Sequence, residues 1–202
     1  MKFLIDTNPP KINRWIEEAP DFVAGQLIVP ASTRRNWGGE FGLDNSAFVR
    51  FDARKFARLQ KNQQEWKDNC LFVTCPDVPG DARRTLEIWR HRDMFSESFE
   101  LSLVLQNGVE DMNIPWEDTP AVFIGGRDPW KESQACLDLV RTAKILKKHV
   151  HCGRVNQIKR FSLYSEAGAD TCDGSSIAIH DEKLRDIIRR YNKKEGSESR
   201  LF

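Results

Sequence analysis

Short apolar runs alternate along this chain with segments of helical periodicity. Phe3-Leu4-Ile5, Leu27-Ile28-Val29, Leu71-Phe72-Val73, Leu101 to Leu105, Ala121 to Ile124 and His149 to Cys152 are too short for helices and read as buried strands. Leu43 to Phe48 and Ala169 to Cys172 are weaker strand candidates. Between the runs, Cys136, Leu139, Val140 and Ala143 recur at the spacing of one helix face, as do Leu184, Ile187, Ile188 and Tyr191. Asp52 and Asp81 stand where helix N-caps belong, because a short carboxylate satisfies the free N–H groups of a first turn.

Strand–helix alternation predicts an α/β fold with a parallel sheet, since parallel strands need a crossover between them. Counting the weaker candidates gives eight strands, the number of a (β/α)8 TIM-type barrel. Such barrels typically take about 250 residues; the chain has 202, so the barrel expected is a trimmed one. The stretch from Pro30 to Gly42 shows no helical pattern. No repeat or linker divides the chain. Residues 1–192 read as one barrel domain, and 193–202 as a polar, flexible C-terminal tail.

Bulk properties change this picture little. The net charge is +1, so any polyanion partner has to be held by a local basic groove. The five cysteines, Cys70, Cys75, Cys136, Cys152 and Cys172, are odd in number and lack C-x-x-C spacing, which predicts reduced thiols and no zinc site. The apolar start of MKFLID is too short for a signal peptide, and no stretch nears the length of a membrane span. The expected location is the cytoplasm.

The candidate chemistry lies at the ends of the apolar runs. In a barrel, side chains at the C-terminal ends of strands converge on one rim. Here those ends carry Asp6, Asp77, Gln106, Gly125-Gly126, Arg154 and Asp173. Asp44, Asp77 and Asp173 would form a carboxylate cluster beside Gln106, an amide that both donates and accepts. Such a rim suits a planar polar ligand: the glycines let a flat ring approach the backbone, and Phe48 offers a stacking face. A single strand-end carboxylate is more often a helix cap, and Phe48 is as readily a core residue; the convergence of several polar ends is what gives the rim its meaning.

At these residues the sequence resembles the tRNA-guanine transglycosylase superfamily, and within it the short deazapurine DNA transglycosylase branch, over about Leu43 to Ser176. Leu43-Asp44-Asn45-Ser46-Ala47-Phe48 is similar to the family's D-S-G-G-[FY] motif, which implies a general base at Asp44 and a base-stacking ring at Phe48. Cys75-Pro76-Asp77 and Val104-Leu105-Gln106-Asn107-Gly108 are similar to segments that read the purine through Asp77 and Gln106. Phe123-Ile124-Gly125-Gly126 resembles the I-G-G motif, which implies backbone contacts to the base at Gly125 and Gly126. Val150-His151-Cys152-Gly153 resembles the strand flanking the base on its other side, which implies a lining role for Cys152. Asp170-Thr171-Cys172-Asp173 is similar to the D-x-F-D motif, which implies that Asp173 is the nucleophile. The family's V-G-E after I-G-G is replaced by Arg127-Asp128-Pro129, and its zinc subdomain, with C-x-C-x-x-C spacing, has no counterpart.

The resemblance implies an enzyme that replaces guanine in DNA with a 7-deazaguanine derivative through a covalent aspartyl–sugar intermediate. It needs no metal or other cofactor. Its partners would be DNA and a free 7-deazaguanine base, together with a partner protein or a homo-oligomer. A buried base must be flipped out to be reached. Arg34, Arg35, Arg154, Lys159 and Arg160 are the leading candidates for phosphate contacts, with Arg50 as a further one. Trp37 is as readily a packing residue as a wedge or a stacking face, and His151 reads first as a core strand residue. Three alternatives stay open: the same chemistry on tRNA, an N-glycosidase that removes the base with water, and a non-catalytic nucleic-acid-binding partner subunit.

Overall fold

The computed structural model describes residues 1–31 and 39–198. All eight expected strands form: β1 (Lys2–Leu4), β2 (Val23–Ile28), β3 (Phe41–Leu43), β4 (Cys70–Val73), β5 (Leu103–Leu105), β6 (Ala121–Ile124), β7 (His149–Cys152) and β8 (Thr171–Cys172). They make one all-parallel curled sheet in the order β4-β3-β2-β1-β8-β7-β6-β5. A parallel bridge at Thr74–Ser102 links the end of β4 to the approach to β5. There Ser102 N donates to the Val73 carbonyl at 2.7 Å and Cys75 N to the Ser102 carbonyl at 2.9 Å. This single-domain arrangement is compatible with a trimmed TIM-type barrel.

Among the described residues, seven α-helices accompany the sheet: α1 (Pro9–Glu18), α2 (Ala53–Gln63), α3 (Ala82–Trp89), α4 (Gln134–Ile145), α5 (Ile158–Glu166), α6 (Ser175–Ile179) and α7 (Asp181–Glu198). Asn8, Asp52, Asp81 and Ser133 cap the starts of α1 to α4 with side-chain oxygens, so polar residues just ahead of apolar periodicity fix where each helix begins. Between β5 and β6 there is only a short 3-10 turn, Val109–Asp111, which is one place where the chain saves length. The polar stretch from Lys193, read from the sequence as a tail, continues α7 as helical backbone to Glu198.

Strand alternation sorts side chains into two cores. Phe3, Val73, Val150 and Cys152 belong to the large core between sheet and helices. Leu4, Leu27, Phe72, Val104, Ala121 and Phe123 meet on the other side of the sheet, in its concave interior. One expectation shifts. The sequence placed the third strand at Leu43 to Phe48, but pairing with β2 and β4 ends at Leu43. Asp44 therefore stands just past a strand end, and Asn45 to Phe48 form a loop whose side-chain bonds replace ladder bonds. Among the described residues no helix is long and apolar enough to cross a membrane.

Candidate functional site

A cavity of about 440 Å³, counted with its open mouth, lies at the C-terminal ends of the strands. Asp44 and Asp173 both line it, although they come from opposite halves of the chain. Val104 and Phe123 form its floor, and Asp77, Gln106, Gly125, Arg154 and Phe48 complete its walls.

The Asp44 wall is built by the loop after β3. Asp44 Oδ1 accepts from Ser46 N at 2.6 Å. Asn45 is buried, and its backbone N–H donates to Thr74 Oγ1 at 2.7 Å. The Asn45 amide donates to the Cys75 carbonyl and to Asp77 Oδ1, at 2.6 and 2.9 Å, and accepts from Ala47 N. Ser46 takes a φ of 61°, the left-handed region that a glycine enters freely and other residues enter at a cost of about 1–2 kcal/mol. Ser46 stands at the third position of the D-S-G-G-like segment, so here a serine adopts a glycine-like backbone. Desolvation pushes the Asp44 carboxyl up to about 7; the Ser46 N–H opposes the rise, and Asp173, Asp77 and Asp6 add to it. Near neutral pH such a group can both give and take a proton.

Asp77 and Gln106 form one unit. Gln106 Nε2 donates to Asp77 Oδ2 at 2.7 Å, and its Oε1 accepts from Gly80 N at 2.8 Å. Burial pushes Asp77 up to about 6, against the lowering effect of Asn45 and Gln106. Gly125 has to be glycine, because a Cβ there would lie 2.5 Å from Gln106 Nε2 and 2.6 Å from Val104 Cγ1. The absent side chain leaves this polar pair at the edge of the cavity.

The Asp173 wall is rich in donors and cations. Asp173 Oδ1 lies 3.2 Å from His151 Nε2 and accepts from Arg154 N at 3.2 Å. His151 is fully buried, stacked on Phe123 at 4.9 Å and tilted against Phe72 at 4.4 Å. Arg154, with a φ of 57°, folds back so that its guanidinium donates to the Gly125 and Gly126 carbonyls. Its Cζ lies 4.0 Å over the Phe48 ring. Phe48, 57% exposed, thus offers a flat face at the cavity mouth to a planar cation. Beneath this wall Lys131 is buried, its Nζ donating to the carbonyls of Ile124, Gly125 and Gly153. Desolvation lowers it to about 8, with Arg154 pushing the same way.

Several expected site residues lie elsewhere. Cys152 points from β7 into the sheet–helix core and is fully buried there; neighbouring residues on a strand face opposite sides, so Gly153, not Cys152, reaches the cavity. Gly126 is buried under the Trp130 ring and contributes only its carbonyl to Arg154. Lys159 and Arg160, on α5, do not line the cavity; Lys159 pairs with Glu132 at 2.6 Å, and Arg160 with Asp128 and Glu132 at 2.6 and 2.9 Å. Arg34, Arg35 and Trp37 lie outside the described residues. Sequence reasoning missed Asn45, Thr74 and Lys131 as parts of the site. Asn45 and Thr74 flank sites already singled out, while Lys131 sits in a segment whose burial no periodicity signals. No protein-family model matches the chain, and a search of curated proteins finds no match either.

Proposed function

We propose that this cavity exchanges a purine base in DNA for a free 7-deazaguanine-type base. One observation carries the reading: two carboxylates in contrasting surroundings, Asp44 and Asp173, open onto the same slot. In the proposed reaction an oxygen of Asp173 attacks the anomeric carbon of the flipped-out nucleotide. The glycosidic bond breaks, and the departing purine takes its proton from Asp44. The sugar is then held as an ester of Asp173. The incoming base gives its glycosidic N–H proton to Asp44, its nitrogen attacks the anomeric carbon, and the ester bond breaks. Atoms and protons balance, and Asp44 ends as it began.

The rest of the cavity supports this reading. On the ring face that Arg154 does not cover, Phe48 would supply a stacking surface. The Asp77–Gln106 pair presents an acceptor and an amide to the edge of a purine, and a partly protonated Asp77 can also donate. His151 and Arg154 N leave Oδ2 of Asp173 as the oxygen not engaged by them. DNA is the first polymer to test, following the resemblance to the DNA branch, with tRNA as the alternative.

The test incubates the protein with labelled 7-deazaguanine bases and, separately, DNA or tRNA. Label should enter DNA, and Asp173→Ala should prevent it. Without free base, a denaturation-resistant protein–DNA adduct should accumulate. Release of guanine that leaves abasic sites would identify a glycosidase, and absence of both label and adduct would end the reading.

A further inference from the structure

Beneath Asp173 a line of hydrogen-bonding side chains runs down the interior of the sheet. Asp173 Oδ1 faces His151 Nε2 at 3.2 Å, and His151 Nδ1 faces Thr171 Oγ1 at 2.9 Å. The same Thr171 oxygen faces His149 Nε2 at 2.9 Å. His149 Nδ1 then points toward Asp170 Oδ2 at 3.9 Å, at the opposite end of β7 and β8. His151 and Thr171 are buried, whereas the His149 side chain is 22% exposed. The chain thus joins the floor of the cavity to solvent at the far end of the strands.

We propose that His149, Thr171 and His151 form a polarised relay that couples the protonation of Asp173 to the opposite end of the barrel-like sheet. A hydroxyl has one proton, so Thr171 donates to one imidazole and accepts from the other. That leaves two consistent settings. In the first, His149 Nε2–H donates to Thr171, Thr171 donates to His151 Nδ1, and His151 Nε2–H donates to Asp173, stabilising negative charge on Oδ1. In the second every bond is reversed, and Asp173 carries a proton that it donates to His151 Nε2. Passage between them is balanced. A proton from water binds His149 Nδ1, and the His149 Nε2 proton passes to Thr171. The Thr171 proton passes to His151 Nδ1, and the His151 Nε2 proton passes to Asp173. Both rings end neutral, and Asp173 has gained one proton.

The surroundings favour neutral rings. Burial pushes His149 down to about 4 and His151 down as well, while Asp170 and Asp173 oppose these shifts. His151 is enclosed by the Phe72 and Phe123 rings, with the Lys131 charge nearby. His149 stacks on Phe72 and faces Asp170, His151 and Lys144. Asp170 is held by Lys144 Nζ at 2.6 and 2.7 Å and by Val150 N at 2.8 Å, so its charge is anchored at the entry of the relay. Around Asp173 stand Asp44, Asp77 and Arg154 on the cavity, Lys131, and the buried Cys152 and Cys172 thiols. Its catalytic consequence rests on the proposed base exchange, in which Asp173 must be ionised to attack. His149, Thr171 and His151 are positioning residues, since none lines the cavity.

The test reads the imidazole tautomers directly, by long-range proton–nitrogen NMR on the whole protein across pH. The other two of its four histidines, His91 and His180, are exposed and readily told apart. His149 and His151 should both be neutral Nε2–H tautomers near neutral pH and switch together on acidification. Thr171→Val should leave His151 packed but stop His149 from following, and Thr171→Ser should restore the coupling. In the exchange assay T171V should lower kcat about 10-fold, change KM little and move the acid limb to higher pH, with T171S restoring all three. If T171V does not fold, His149→Phe, which keeps the ring beside Phe72, should move the acid limb the same way. Independent titration of the two histidines to imidazolium, or an unchanged acid limb in T171V, overturns the relay. Coupled tautomers in a protein that exchanges no base would uphold the relay and remove only the function proposed above.

Discussion

Asp44 and Asp173 are the same side chain in opposite settings. On the Asp44 wall, the short loop after β3 partly buries a carboxylate near other acids, and Ser46 N donates to it. On the Asp173 wall, β7 and β8 surround the carboxylate with an imidazole, a backbone N–H and the nearby Lys131 charge. The first setting makes the neutral acid accessible at ordinary pH, and the second lines one carboxylate oxygen with hydrogen-bonding partners. In the proposed reaction, environment and not residue type would divide a proton-handling role from a nucleophilic one.

The sharpest way to break this comparison is to remove one carboxylate at a time. Asp173→Ala should lower base exchange by about 10⁴-fold or more, as loss of a covalent nucleophile does, while the melting temperature shows that the fold persists. Retained turnover would transfer the nucleophile's role elsewhere. Asp44→Asn should cost about 10²–10⁴-fold in kcat and erase the pH dependence centred near 7 that the raised Asp44 carboxyl predicts. A rate profile identical to that of the unaltered protein would take Asp44 out of proton transfer. Phe48→Ala tests the slot between the two walls. Lost stacking of about 1–3 kcal/mol per base should raise KM for the base roughly 10-fold or more with kcat less affected, and steady-state kinetics separates the two.

The smallest effect concerns stability. The Asp44 carboxyl rises from 3.8 to about 7 in the fold, and Asp77 rises to about 6. The folded protein therefore holds protons that the unfolded chain has already released. The stabilisation from this pair is complete below about pH 4 and disappears as pH rises through 6 to 7. Asp44→Asn should flatten that fall and raise the melting temperature at pH 8, by roughly 2–4 °C for each kcal/mol of strain relieved. A variant that melts lower than the parent at pH 8 would mean that the ionised Asp44 is well accommodated, and the contrast between the walls would lose its basis.

Much of the architecture was legible because burial writes itself into short apolar runs. All eight strands fell on or beside runs visible in the sequence, and the Asp52 and Asp81 caps lay where their helices begin. The third strand was the exception. Phe41-Gly42-Leu43 offers only three residues, and the polar Asn45 beyond it satisfies backbone groups that a longer strand would have paired. The candidate site was legible in part. Asp44, Phe48, Asp77, Gln106, Gly125, Arg154 and Asp173 do share one cavity. Cys152 was assigned to the wrong face of β7, because a resemblance in segment order does not fix which way each side chain points. Lys159 and Arg160 stand outside the cavity, where they pair with Asp128 and Glu132.

The sequence by itself determined the alternation of strand and helix, the helix starts and the polar residues that close each apolar run, because these depend on local periodicity and on backbone groups within a few residues. Only the tertiary structure decided that Asp44 meets Asp173, that His149 and His151 share Thr171, and that Lys131 is buried beneath the cavity. Those outcomes depend on how distant strands register and on what each fold-made neighbour does to a charge. Desolvation and hydrogen-bond geometry exist only once the chain has closed around them.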